Sequence, residues 1–175
     1  VPHAKPWIPH TLGMPELYEY SLALETDGKK ILLRNGGIGF RDISLNTENG
    51  LFQLRLNGQA VFARGAVWTI NDIVSLNGDR ETLLAALLLA RDAGMNMLRV
   101  GGTMVYEQDD FYNLCDELGI MVWQDFMFAN MDYPVADEGF HANILAEGSF
   151  QLKRLQSHPC VVVYCGNSEV EQQAA

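Results

Sequence analysis

Carboxylates at strand ends are the groups in this chain whose placement suits chemistry. Cys160-Val161-Val162-Val163-Tyr164-Cys165 is an apolar, β-branched run that stops at Gly166 and is followed by Asn167, Ser168 and Glu169. A run of this length, closed by a small residue, reads as a buried parallel strand. A carboxyl group at the C-terminal tip of such a strand stands where (β/α) barrels gather their reactive groups. In a dry pocket its neutral form is favoured, so it can donate a proton and later take one back. Glu171 competes for this role, but it better fits a solvated acid opening a helix.

Other polar and aromatic residues fall at or just past strand ends in the same way. Trp68 and Asp72 follow Arg64-Gly65-Ala66-Val67, Arg99 ends Met95-Asn96-Met97-Leu98, and Gln124 and Asp125 follow Ile120-Met121-Val122-Trp123. Trp68 is either core or the wall of a binding site, and Trp123 reads as core. Asp72 and Asp125 are either hydroxyl acceptors or caps of loops and helices. His158-Pro159 reads as a helix stop, and no His/Cys spacing matches a metal site.

The elements that must position these residues follow from periodicity. Leu17–Leu24 alternates, Asp27-Gly28 is a turn signal, and Ile31-Leu32-Leu33 starts a second strand. The stretch looks like the tail of an antiparallel sandwich. Pro2, Pro6 and Pro9 mark the first dozen residues as loop or edge. Leu51–Leu56 alternates and turns at Asn57-Gly58 into Ala60-Val61-Phe62, a hairpin of the kind that plugs the bottom of a barrel. From Arg64 the rhythm is strand, helix, strand, helix, with helices over 79–93, 108–118 and 138–157. Leu83, Leu84, Leu87, Leu88 and Ala90 form one helical face. Four strands alternating with three helices predict a parallel sheet with right-handed crossovers. A doubly wound sheet fits the same alternation. The lack of a glycine-rich phosphate loop after the first strand, and the polar strand tips, favour a barrel.

The chain has 175 residues and a net charge of -10. That charge argues against nucleic acid and against a polybasic membrane surface as partners. No apolar run approaches the roughly 20 residues of a membrane-spanning helix. The three cysteines read as buried, reduced thiols. They do not decide the compartment, and cytoplasm and periplasm both fit.

Several stretches, in order, carry a family resemblance. They are Gly39-Phe40-Arg41-Asp42-Ile43, Leu56-Asn57-Gly58, Arg64-Gly65-Ala66-x-Trp68, and Ala93-Gly94-Met95-Asn96-Met97-Leu98-Arg99-Val100. Tyr106-Glu107, Cys115–Ile120, Val122-Trp123-Gln124-Asp125-Phe126-Met127-Phe128-Ala129 and Gly166-Asn167-Ser168-Glu169 complete the set. The chain resembles glycoside hydrolase family 2, and the Trp-Gln-Asp-Phe-Met-Phe-Ala run with the terminal Asn-x-Glu points to its β-mannosidase branch.

The resemblance implies an α/β fold: the first half, strands 1–4, of a (β/α)₈ TIM barrel, preceded by the end of an immunoglobulin-like β-sandwich. Residues 1–46 would form the C-terminal part of the sandwich and 47–175 the N-terminal half of the catalytic barrel. It implies a retaining, exo-acting enzyme that removes terminal β-mannosyl residues with two glutamates. Glu169 matches the acid/base. The nucleophile would lie beyond the chain end, so the chain alone would be inactive, and a half barrel with two open edges is expected to fold poorly. Arg99 matches an arginine that supports the nucleophile. Trp68, Asp72, Asp125, Asn167 and Ser168 are the candidate sugar-binding residues. Ser168 stands where many family members have Asn.

The implied partners are an oligosaccharide or glycoside substrate and the remainder of the same polypeptide, with no cofactor and no metal. Two alternatives stay open. One is another family 2 β-glycosidase, acting on galactosides, glucuronides or glucosaminides. The other is a non-catalytic carbohydrate-binding or scaffold fragment.

Overall fold

A computed structural model describes residues 3–173; the two residues at each chain end, Pro2 among them, lie outside these. Strands β1 (Tyr18–Thr26) and β2 (Lys29–Ile38) form an antiparallel ribbon. Asp27 and Gly28 both have left-handed backbones, at φ 49° and 73°, so the two-residue turn matches the twist of its strands. Asn57 and Gly58 repeat this geometry at φ 51° and 79°. They join β4 (Gln53–Leu56) to β5 (Gln59–Ala60), and β3 (Ile43–Asn46) pairs antiparallel with β4.

Strands β6 (Gly65–Trp68), β7 (Met97–Val100), β8 (Met121–Asp125) and β9 (Val161–Cys165) form a parallel sheet in sequential order. Helices α1 (Arg80–Asp92), α2 (Asp109–Leu118) and α3 (Glu138–Leu155) are the crossovers. Asp79 and Asp137 cap α1 and α3, each accepting from a backbone N–H three residues on. The steady strand order has no reversal, unlike a doubly wound sheet.

Side chains alternate across the sheet. Trp68, Leu98, Val100 and Val122 join Leu83, Leu87, Phe111, Leu114 and Leu155 in one buried core on the helix side. Burying each large side chain stabilises the fold by about 1.5–3 kcal/mol. The opposite face carries Val67, Arg99 and Trp123 in register, with Val163 beside Trp123. Phe52, Leu54 and Val61 of the β4–β5 hairpin border a cavity of about 510 Å³ against Met97, Trp123 and Val163 of that face. The hairpin thus packs toward the face of the sheet opposite the helices.

Residues 3–12 hold no strand, yet they are docked. Trp7 is fully buried. Its indole N–H donates to the Asp116 carbonyl at 2.9 Å, and its backbone N–H to the Phe40 carbonyl at 2.7 Å. The His10 N–H donates to the Gly119 carbonyl, and Arg41 donates to the carbonyls of Pro159 and Val161. These contacts gather at the starts of β8 and β9, the end of the sheet remote from Glu169. The β3–β4 pairing runs across position 46, so a division between 46 and 47 cuts a hydrogen-bonded sheet. The break in pairing falls between β2 and β3.

Candidate active site

Parallel strands bring their C-terminal ends to one edge of the sheet. At that edge Arg99 of β7 meets Asp125 of β8. Arg99 Nη2 donates to Asp125 Oδ2 at 2.7 Å, and Nε spans both carboxylate oxygens at 3.1 and 3.3 Å. The Trp123 indole N–H donates to Oδ1 at 3.0 Å, and the Gly102 backbone N–H to Oδ2 at 3.1 Å. Four donors therefore fill a carboxylate that offers about four acceptor sites. Asp125 is fully buried, while the Arg99 side chain is 37% exposed. The hydrogen bonds it donates to Asp125, more than that carboxylate's charge, push the Arg99 guanidinium further up, against a smaller desolvation effect. Glu169 adds a favourable charge interaction with it. The Arg99 guanidinium carbon also lies 5.9 Å from the Trp123 ring centroid, a cation–π contact.

The loops beyond these strands are zipped together. The Phe126 N–H donates to the Cys165 carbonyl at 2.8 Å, and the Ser168 N–H to the Phe128 carbonyl at 2.8 Å. The Asn130 N–H donates to the Ser168 carbonyl at 3.2 Å. Ser168 Oγ lies 3.3 Å from Arg99 Nη2. Gly102 has no room for a side chain: a Cβ there would sit 2.7 Å from the Phe128 carbonyl oxygen and 2.9 Å from that of Phe126. The β7, β8 and β9 loops thus meet around one buried carboxylate.

Glu169 follows directly, with φ 58°. A non-glycine residue in this region costs on the order of 1 kcal/mol, and such strain gathers at functional positions. Glu169 is exposed, not enclosed in a dry pocket. Among the described residues no side chain hydrogen-bonds its carboxylate, and the inner face of the sheet is open. Asn167 is also exposed, and its carbonyl accepts from Cys165 Sγ at 3.1 Å. Glu171 lies in a 3-10 turn over Val170–Gln173.

Three of the candidate sugar-binding residues are engaged in other contacts. Trp68 is only 7% exposed. It is paired with Val100 rather than Arg99, so it lies on the helix side. There it packs on Phe111 and donates to Glu107 Oε1 at 2.7 Å. Asp72 folds onto its own loop, accepting from the backbone N–H groups of Val74 and Ser75 and from the Ser75 hydroxyl. The Ser75 hydroxyl, ahead of the two backbone groups, holds its carboxyl below the usual value. None of these bonds joins it to the Arg99 cluster. Asp125 is buried and saturated, and has no acceptor site left for a hydroxyl. Arg99, Ser168 and Glu169 are brought together; Trp68 and Asp72 are not.

Trp123, read as plain core, belongs to the cluster. Gly102 was missed. The Gly101-Gly102 pair right after a strand was the available signal for a close backbone approach. His158 is more than a helix stop: its Nδ1 lies 2.6 Å from Asp116 Oδ2, at the opposite end of the sheet. Among the described residues no three His, Cys, Asp or Glu side chains gather in a way that could hold a metal ion.

No family model matches the chain. Its architecture is shared by solved β-glycosidases. The exo-chitosanase CsxA of Amycolatopsis orientalis superposes with a TM-score of 0.79 at 20% identity, covering 91% of this chain and 19% of that one. At that identity the likeness speaks for the fold alone. Within this class the chain is similar to β-mannosidases. It is 41% identical over 171 residues to the β-mannosidase of Rattus norvegicus, and 38% identical over 169 residues to β-mannosidase B of Aspergillus flavus. These matches cover 94% and 93% of this chain, and 19% and 20% of the relatives. The β-D-mannosidase structure from Dictyoglomus thermophilum superposes with a TM-score of 0.79 at 39% identity, covering 93% of this chain and 21% of that one. The chain thus spans about a fifth of the length of the curated relatives it matches. The resemblance to family 2 glycoside hydrolases agrees with these matches.

Proposed function

We propose that this chain carries the acid/base half of a retaining, exo-acting β-mannosidase. Glu169 protonates the glycosidic oxygen as the bond to the sugar breaks. A second glutamate, outside these 175 residues, attacks the anomeric carbon and forms a glycosyl-enzyme. Glu169 then takes a proton from water, which releases mannose with its β configuration retained. No step calls for a cofactor. The observation that carries this reading is Glu169 itself: an exposed carboxylate in a left-handed backbone, at the tip of a parallel strand beside the Arg99–Asp125 pair. The substrate is a glycoside or oligosaccharide ending in β-mannose, as the 41% identity to a β-mannosidase supports.

The fold is read in the same way. The sequential parallel sheet, with its helices on one face, is the first half of a (β/α)₈ barrel. The β1–β2 ribbon is the end of an immunoglobulin-like sandwich. The boundary between them lies between β2 and β3, somewhat before position 47. The rest of the polypeptide supplies the other half of the barrel and covers the open inner face, which would give Glu169 the dry surroundings an acid catalyst needs.

The test is hydrolysis of nitrophenyl β-glycosides by the complete polypeptide that carries this chain. Turnover of the mannoside well above the galactoside, glucuronide and glucosaminide supports the reading. Preference for one of the other sugars keeps the enzyme class and overturns the substrate. No turnover of any of them favours a carbohydrate-binding or scaffold role.

A further inference from the structure

Asp125 is a carboxylate at the site edge with nothing left to give a ligand. Its two oxygens accept from Arg99, Trp123 and Gly102, and it is fully buried. The groups it holds come from β7, the loop after β7, and β8 itself. Arg99 then reaches past it to Ser168 Oγ on the loop after β9. Ser168 is clamped on both sides of its own peptide, to Phe128 and Asn130, and its next neighbour is Glu169. A path of hydrogen bonds therefore runs from Asp125 through Arg99 and Ser168 to the backbone that carries Glu169. The charged and titratable groups around Arg99 are Asp125, Cys165 and Glu169.

We propose that Asp125 is a positioning residue: it fixes the Arg99 guanidinium, and through Ser168 it sets where the Glu169 carboxyl stands. Asp125 does not touch the sugar. This inference rests on the reading of Glu169 as the acid/base.

The geometry explains why aspartate is needed. An amide at this position would place an N–H₂ where the carboxylate now accepts, facing a donor from Arg99, Trp123 or Gly102. Arg99 would also lose its counter-charge. A guanidinium released from this pair no longer holds Ser168, and the 168–169 peptide is then free to leave its left-handed conformation.

Leaving groups separate positioning from sugar contact. A poor leaving group such as phenol depends on protonation by Glu169, whereas dinitrophenol departs with little help. A sugar contact serves both substrates equally. The experiment measures kcat/KM of the complete polypeptide on phenyl and 2,4-dinitrophenyl β-mannoside for wild type, Asp125→Asn and Ser168→Ala. Expected for Asp125→Asn is a loss on the order of 100-fold on the phenyl substrate with only a few-fold loss on the dinitrophenyl one. Ser168→Ala, which leaves the buried pair intact, shows the same selectivity to a smaller extent and decides the question if Asp125→Asn does not fold. Equal losses on both substrates in either variant overturn the proposal.

A wild type inactive on every aryl β-glycoside defeats the enzymatic reading instead. Crystal structures of the wild type and Ser168→Ala then still test the path: a 167–169 loop unchanged in the variant overturns it.

Discussion

Trp68 and Trp123 stand on opposite faces of one parallel sheet. Trp68 is in register with Val100, and Trp123 with Arg99, the residue before it. Each indole N–H reaches a different carboxylate, Glu107 on the helix side and Asp125 at the inner face. The two rings therefore have separate jobs. Trp68→Phe strands a buried Glu107 oxygen and is expected to lower stability by about 1–3 kcal/mol, with catalytic efficiency left within a few-fold. Trp123→Phe removes a donor from the Asp125 cluster and is expected to cut kcat/KM on the order of tenfold. Denaturant unfolding beside aryl-mannoside kinetics checks both. The reverse assignment of losses would put Trp68 in the site and Trp123 in the core.

Gly102 and Gly148 make a matched pair. A methyl group at Gly102 meets two backbone carbonyls, at 2.7 and 2.9 Å, so Gly102→Ala is expected to destabilise by about 1–3 kcal/mol. At Gly148, within α3, the nearest such contact is the Phe126 ring at 3.6 Å. Gly148→Ala fits there, and the helix gains about 0.5–1 kcal/mol. Unfolding midpoints that move in opposite directions are the expected result.

The N-cap of α1 makes stability depend on acid. Hydrogen bonds from the Thr82 backbone N–H first, and then its hydroxyl, hold the Asp79 carboxyl below its ordinary pKa of 3.8. A carboxyl group with a depressed folded-state pKa stabilises the fold fully above the unfolded value, and that contribution is lost as pH falls through the folded-state value. Asp79→Ala is therefore expected to lower the melting temperature at neutral pH. The gap from wild type should narrow below pH 3.8. A gap that is the same at both pH values would mean the cap does not titrate with folding.

Thiol chemistry should single out Cys165. Cys115 and Cys160 are buried, and burial first, then the neighbouring Asp116 charge, pushes both thiols well up. They are expected to stay silent to a disulfide reagent at neutral pH, while the partly exposed Cys165 reacts. All three cysteines react once the chain is unfolded. Native-state labelling of Cys115 or Cys160 by peptide mapping would contradict this packing.

Local signals made most elements legible in the sequence. The Asp27-Gly28 and Asn57-Gly58 turns, the leucine face of α1 and the β-branched run of β9 lie where their patterns put them. The gathering of the strand tips was legible by position, because a parallel sheet must bring Arg99, Asp125 and Glu169 to one edge. Facing was harder to read. Each strand is short, so one residue of register decides whether Trp68 or Trp123 looks inward. The saturation of Asp125 depends on donors from three separate stretches, which no single stretch reveals. The burial of Trp7 against Asp116 joins residues more than 100 positions apart, and the prolines around Trp7 gave no hint of it.

One substitution tests Glu169 as the proposed acid/base of a β-mannosidase. The most direct measurement is hydrolysis of phenyl β-mannoside by the complete polypeptide and its Glu169→Gln variant, with and without azide. A loss of about 10²–10⁴-fold is expected in the variant. Azide, an anion that needs no base to attack the glycosyl-enzyme, should restore turnover of an activated dinitrophenyl mannoside as β-mannosyl azide. A variant that hydrolyses phenyl β-mannoside at the wild-type rate would contradict the account.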